Sequence, residues 1–192
     1  MAIKEVVSKN IFVQSISKIK SSQIFWILSF SILTFMGAQV AVPTQPVPFT
    51  LQTMIVLLAG AFLGSKNGAY SQIIYLLAGV IGLPVFAGFS FGIAKLFGPT
   101  GGYLLAFPFA AFLTGYLLER NQSTLRIIFS FITAQVFILL SGAAYLALFM
   151  NGNFVNALFS GALIFSIWDV IKISAAVSIY KAVSKKYPKL PA

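Results

Sequence analysis

From Ser21 to Ser65 the chain carries no charged side chain at all. A helix crosses a bilayer in roughly 20 apolar residues, so this uncharged run is too long for a single crossing. Pro43, Pro46 and Pro48 interrupt it near its middle. Proline lacks a backbone donor and clashes with the preceding turn, so the proline-rich stretch reads as a connection between two helices. The same pattern of apolar runs and short breaks continues to the end of the chain. Of 192 residues, 59% are hydrophobic and 8% charged, where a soluble domain carries about a quarter charged residues. The sequence therefore predicts an all-α membrane protein, with no room for a sizeable soluble domain beside it.

The runs predict six transmembrane helices at about 24–42, 49–63, 69–83, 103–118, 125–149 and 156–183. They form a single transmembrane domain over 1–192, with a basic tail at 1–23, the bundle at 24–183 and a second basic tail at 184–192. The first tail reads either as an interfacial amphipathic stretch, from Ile3, Val6, Val7, Ile11, Val13, Ile16 and Ile19, or as a disordered basic segment. Its lysines ahead of an apolar run resemble a secretory signal, but the following runs are equally apolar and the first is read as a retained helix.

Charge sets the orientation. With the N-terminus cytoplasmic, the inner segments hold Lys4, Lys9, Lys18, Lys20, Lys66, Arg120, Arg126, Lys181, Lys185, Lys186 and Lys189, against Lys95 alone outside. That bias follows the positive-inside rule and places both termini in the cytoplasm. The net charge of +10 is accounted for in this way, and no interleaved basic and aromatic stripe points to nucleic acid. Three irregular connections then face outward. They are the proline-rich stretch, the segment from Pro84 to Gly102, and Asn151-Gly152-Asn153. Irregular apolar backbone at membrane depth persists only where it is buried or lines a cavity, so the Pro84–Gly102 segment is a candidate lid.

The residue inventory narrows the chemistry. The chain has no Cys and no His, which excludes thiol and imidazole nucleophilic triads. One intramembrane Asp cannot form a carboxylate dyad. The stretch from Gly60 to Lys66 misses the spacing of a phosphate-binding G-x-x-x-x-G-K-[ST] loop, so the chain is expected to be no enzyme and to hold no metal or cofactor. Two charged residues lie within an apolar segment, Asp169 and Lys172, three apart on one helix face. Such groups normally face the bundle interior. They are either a structural ion pair or a clamp for a neutral polar head group, with the carboxylate accepting N–H and the ammonium donating to a carbonyl. Thr50, Gln52, Gln72, Gln135 and Asn156 are further polar candidates for the cavity wall. Phe86, Phe89, Phe91 and Tyr103 are the aromatic ones.

Several stretches together resemble the BioY family, the biotin-binding S components of energy-coupling-factor (ECF) transporters. They are Gly37-Ala38-Gln39, Pro46-Val47-Pro48-Phe49-Thr50-Leu51-Gln52-Thr53, the run from Leu57 to Gly64, Gly82-Leu83-Pro84-Val85-Phe86-Ala87-Gly88, Gly98-Pro99-Thr100-Gly101-Gly102-Tyr103-Leu104 and Asp169-Val170-Ile171-Lys172. The resemblance implies an S-component fold with an outward biotin pocket. Asp169 and Lys172 would contact the fused-ring head, Ser90 and Tyr103 would lie near the ligand, and Thr50 and Gln52 would belong to the first lid. Phe86 and Phe89 would shield the thioether ring. It also implies partners, an ECF T subunit and a pair of ABC-type ATPases. Some relatives carry Arg where this chain has Leu104, which leaves Lys95 or solvent for the ligand carboxylate. S components dock through small residues in helix 1, and the nearest pairs are Gly37 with Ala41 and Thr34 with Ala38. The alternatives are an S component for another small vitamin, a solitary or self-associating carrier, and a membrane scaffold.

Overall fold

The computed structural model describes residues 22–185, and the readings made for the two tails lie largely outside them. Six helices are present among the described residues: α1 (Gln23–Gln39), α2 (Gln52–Val80), α3 (Gly101–Glu119), α4 (Thr124–Leu146), α5 (Phe154–Gly161) and α6 (Ser166–Ser184). Between α1 and α2 the proline-rich connection is a small hairpin. Strand β1 (Ala41–Val42) pairs antiparallel with β2 (Phe49–Thr50), with Ala41 opposite Thr50 and Val42 opposite Phe49. The predicted ends of the first two helices are thus shortened, because the residues flanking the prolines pair as strands.

The predicted helices 2 and 3 are the two arms of α2. Its one non-helical residue is Gly64 (φ 79°, ψ −179°), a backbone conformation open to glycine and costly for other residues. The arms fold back on each other there, so that Gly68 lies against Gly60 and the Gln52 amide reaches the Tyr75 hydroxyl at 2.6 Å. Residues without a side chain let backbones approach closely, as helices packed in lipid require. Gly60 faces Ala111 and Thr114 of α3, and Gly115 faces Gly64 and Ser65. Glu119 closes the turn, its Oε1 accepting from both the backbone N–H and the hydroxyl of Ser65 at 2.8 Å. The carboxylate therefore caps the N-terminus of the second arm, where free amide groups and the helix dipole favour negative charge.

The predicted sixth helix is broken in two. Ala162 leaves the helical region (φ −134°, ψ −58°), a single turn of 3₁₀-helix follows at Leu163–Phe165, and α6 begins at Ser166. The Tyr103 hydroxyl donates to the Gly161 carbonyl at 2.8 Å, and its ring fills the space that a side chain on Gly142 would occupy. This tertiary contact satisfies the end of α5.

Among the described residues two segments, Gly101–Glu119 and Thr124–Phe149, are long and apolar enough to cross a bilayer, and Gln23–Gln39 is apolar but shorter. The outer faces are apolar as well. Ile24, Leu28, Ile32 and Met36 are exposed along α1, as are Leu105, Phe109, Phe112 and Tyr116 along α3. Exposed apolar surface on this scale is not carried by soluble monomers, and lipid is the solvent that suits it. The small residues at the end of α1 are not on that outer surface. Thr34 and Ala38 are fully buried, and Gly37 packs against Leu51, Gln52 and Ile55 of the α2 entry.

Candidate ligand-binding site

A cavity of about 460 Å³ opens at the end of the bundle where α2, α3 and α6 begin. Its size lies within the range of small-molecule sites. Its wall combines the hairpin and first turn of α2, the irregular segment between α2 and α3, the middle of α4 and the start of α6. Seven of the eight residues singled out for ligand contact come together on it: Thr50, Gln52, Phe86, Ser90, Tyr103, Asp169 and Lys172. Phe89 does not. It adopts a positive φ of 54°, gives its N–H to Gln39 Oε1 at 3.0 Å, and turns its ring outward onto Phe35, 6.3 Å between centroids. Of the other polar candidates, Gln135 and Lys95 line the cavity. Gln72 is tied to Thr34 and Ser71 in the core, and Asn156 borders a separate surface depression.

The break before α6 changes the setting of Asp169. It sits in the first turn of a helix, not in mid-helix, where the dipole stabilises a carboxylate. Asp169 and Lys172 are both buried, and Lys172 Nζ lies 2.7 Å from Asp169 Oδ1. Oδ1 is thus taken up by the ammonium, and Asp169 Oδ2 remains open to a donor. Lys172 also donates to Thr53 Oγ1 at 2.8 Å and to the Thr50 carbonyl at 3.4 Å, and lies 4.4 Å from the centre of the Phe49 ring. Thr53 was not legible as a site residue beforehand. Its only signal was its place in the Thr50–Thr53 stretch.

A second network fixes the covering segment. Thr50 Oγ1 donates to Gln52 Oε1 (3.0 Å), Gln52 Nε2 to Tyr75 (2.6 Å), and the Tyr75 hydroxyl to the Val85 carbonyl (3.1 Å). Phe86 fills the space beside Gly79 and meets Tyr75 edge-on at 5.6 Å. From the other side, Gln39 Nε2 donates to the Phe86 carbonyl at 3.1 Å. Ser90 Oγ is turned into its own loop, donating to the Ala87 carbonyl at 2.8 Å. Side chains from α1 and both arms of α2 therefore hold the cover over the cavity. Gln39 and Tyr75 are the members of this network that sequence reasoning did not single out as functional.

Lipid-facing helices around a covered cavity with a buried ion pair on its wall define a membrane-embedded small-molecule binder. The chain belongs to the BioY family, whose model matches residues 10–189. It is 44% identical over 160 residues to a protein of Pyrococcus horikoshii named probable biotin transporter BioY, covering 83% of this chain and 94% of the relative. It is 37% identical to the biotin transporter BioY of Thermotoga maritima, covering 78% and 88%. A crystal structure of the S-component for biotin from an ECF-type ABC transporter superposes with a TM-score of 0.80 at 29% identity, covering 85% of this chain and 90% of that one.

Proposed function

We propose that this protein is a biotin-binding membrane subunit that captures the vitamin for uptake, and that it is a carrier, not an enzyme. The observation that carries this reading is the buried Asp169–Lys172 pair on the wall of a covered cavity, in a chain whose relatives bear the names of biotin transporters. A buried carboxylate with open acceptor sites suits the N–H groups of a cyclic urea, and the apolar wall of Phe86, Phe91, Leu104 and Phe107 suits a thioether ring and an aliphatic chain. Thr50, Gln52, Ser90 and Tyr103 complete the wall, while Phe89 shields the loop from outside.

The cavity faces away from the cytoplasm in this reading. Lys66 beside the α2 turn, Arg120 after α3, Arg126 in the first turn of α4 and Lys181 near the end of α6 belong to the opposite end of the bundle. That end is tied together by Ser65 with Glu119 and by Lys181 with Thr124. Positive charge on the cytoplasmic side then puts both termini inside and the cavity outside, in a multi-pass plasma-membrane protein. The stretch from Gly60 to Lys66 misses the spacing of a phosphate-binding loop, so ATP-driven transport falls to an ECF T subunit and a pair of ATPases. Native mass spectrometry of the detergent-purified protein tests the ligand. Bound biotin is expected, and a different vitamin in its place would overturn the assignment.

A further inference from the structure

An ammonium has three protons to give and no acceptor. Around Lys172 Nζ three protein oxygens already stand, those of Thr53, Thr50 and Asp169, with the Phe49 ring beside them. The lysine is occupied by its own protein. Two other groups on the cavity wall are in the opposite condition. The side-chain amide nitrogen of Gln135 is buried and donates to nothing among the described residues, and Asp169, whose Oδ1 lies against Lys172, keeps its Oδ2 without a donor among them. Buried glutamines elsewhere in this bundle are not left so. Gln72 donates to Thr34 and Ser71, and Gln52 to Tyr75. Buried polar groups without partners are rare in folded proteins, and a donor and an acceptor left open on one cavity wall are complementary to a ligand that carries both.

We infer that Gln135 is a specificity-determining residue of this site, donating its amide N–H to a carbonyl oxygen in the head of the ligand while Asp169 accepts the adjoining N–H. The inference rests on the biotin reading, since the cyclic urea of biotin presents a carbonyl flanked by two N–H groups. Anchored to Thr53 and lying against Asp169, the Lys172 ammonium holds the carboxylate in place on the cavity wall. Gln135 comes from α4 and Asp169 from α6, two helices in contact, so the head group is gripped across a helix–helix boundary and not by one helix alone.

The test is isothermal titration of the detergent-purified full chain with biotin and with 2-iminobiotin, in which a guanidinium replaces the urea and the carbonyl acceptor is gone. Wild type is expected to prefer biotin. Gln135→Leu weakens biotin about tenfold, the scale of one buried hydrogen bond, and leaves 2-iminobiotin within about twofold, so the preference shrinks. Gln135→Glu, nearly the same shape but an acceptor only, shifts the preference toward 2-iminobiotin and serves also if the leucine variant does not fold. Equal weakening of both ligands, or unchanged biotin affinity in Gln135→Leu, overturns the inference while leaving biotin as the ligand. A folded wild type that binds neither ligand removes the biotin reading, and this inference with it.

Discussion

The Thr53 hydroxyl stands 2.8 Å from the Lys172 nitrogen and ties the first turn of α2 to the start of α6. The ammonium so held lies against Asp169, which makes Thr53 part of the geometry of the carboxylate. Thr53→Val keeps the branched shape and removes the acceptor. It is expected to cost about 1–3 kcal/mol of stability and to weaken biotin binding roughly tenfold. Thermal unfolding and titration of the same preparation check both, and an unchanged affinity would mean that Asp169 needs no such support.

Breaking the buried pair from one side leaves an uncompensated charge. Lys172→Met is expected to destabilise the protein by about 3–5 kcal/mol. The double variant Asp169→Asn with Lys172→Met removes both charges and is expected to recover most of that stability without recovering binding. A double-mutant cycle on unfolding temperature separates the structural part of the pair from its functional part. Additive losses would contradict the pairing.

Gln39 holds the cover by donating to Phe86 and accepting from Phe89. Gln39→Leu removes both bonds at an end of α1 that does not line the cavity. Ligand dissociation is expected to quicken by roughly tenfold, with association changed much less, since affinity changes within one interface fall mostly on the off-rate. Stopped-flow measurement of both rates decides it, and an unaltered dissociation rate would mean that the cover is held by other contacts.

Glu119 acts at the other end of the molecule. Glu119→Ala leaves the Ser65 amide and hydroxyl without their acceptor and is expected to cost about 1–2 kcal/mol, as loss of a helix cap does. Biotin affinity is expected to stay within about twofold, because the cavity is formed at the far ends of the helices. A lowered melting temperature with unchanged titration is the predicted pair of results.

The parts of the fold that follow from local composition were legible in the sequence. Uncharged runs gave the positions of the helices, the glycines around Ser65 gave the tight turn, and the prolines gave the connection after α1. What depends on tertiary contact was not legible. The helix predicted at 156–183 has no proline or charge at its break, only Ser160-Gly161, and the break is satisfied by Tyr103 reaching the Gly161 carbonyl from another helix. Asp169 was accordingly expected in mid-helix and stands in a first turn. Phe89 was grouped with Phe86 by spacing and type, yet the positive φ at Gly88 and Phe89 sends the two rings in opposite directions. Gln39, Thr53 and Tyr75 are common polar residues in an apolar chain, and only their partners give them meaning.

Equilibrium dialysis of [³H]biotin against purified wild type and Asp169→Asn tests the central claim most directly. Saturable binding by wild type that is lost in a folded Asp169→Asn variant is the predicted result. A folded wild type with no saturable binding would contradict biotin as the ligand, and undiminished binding by the variant would contradict the role of Asp169.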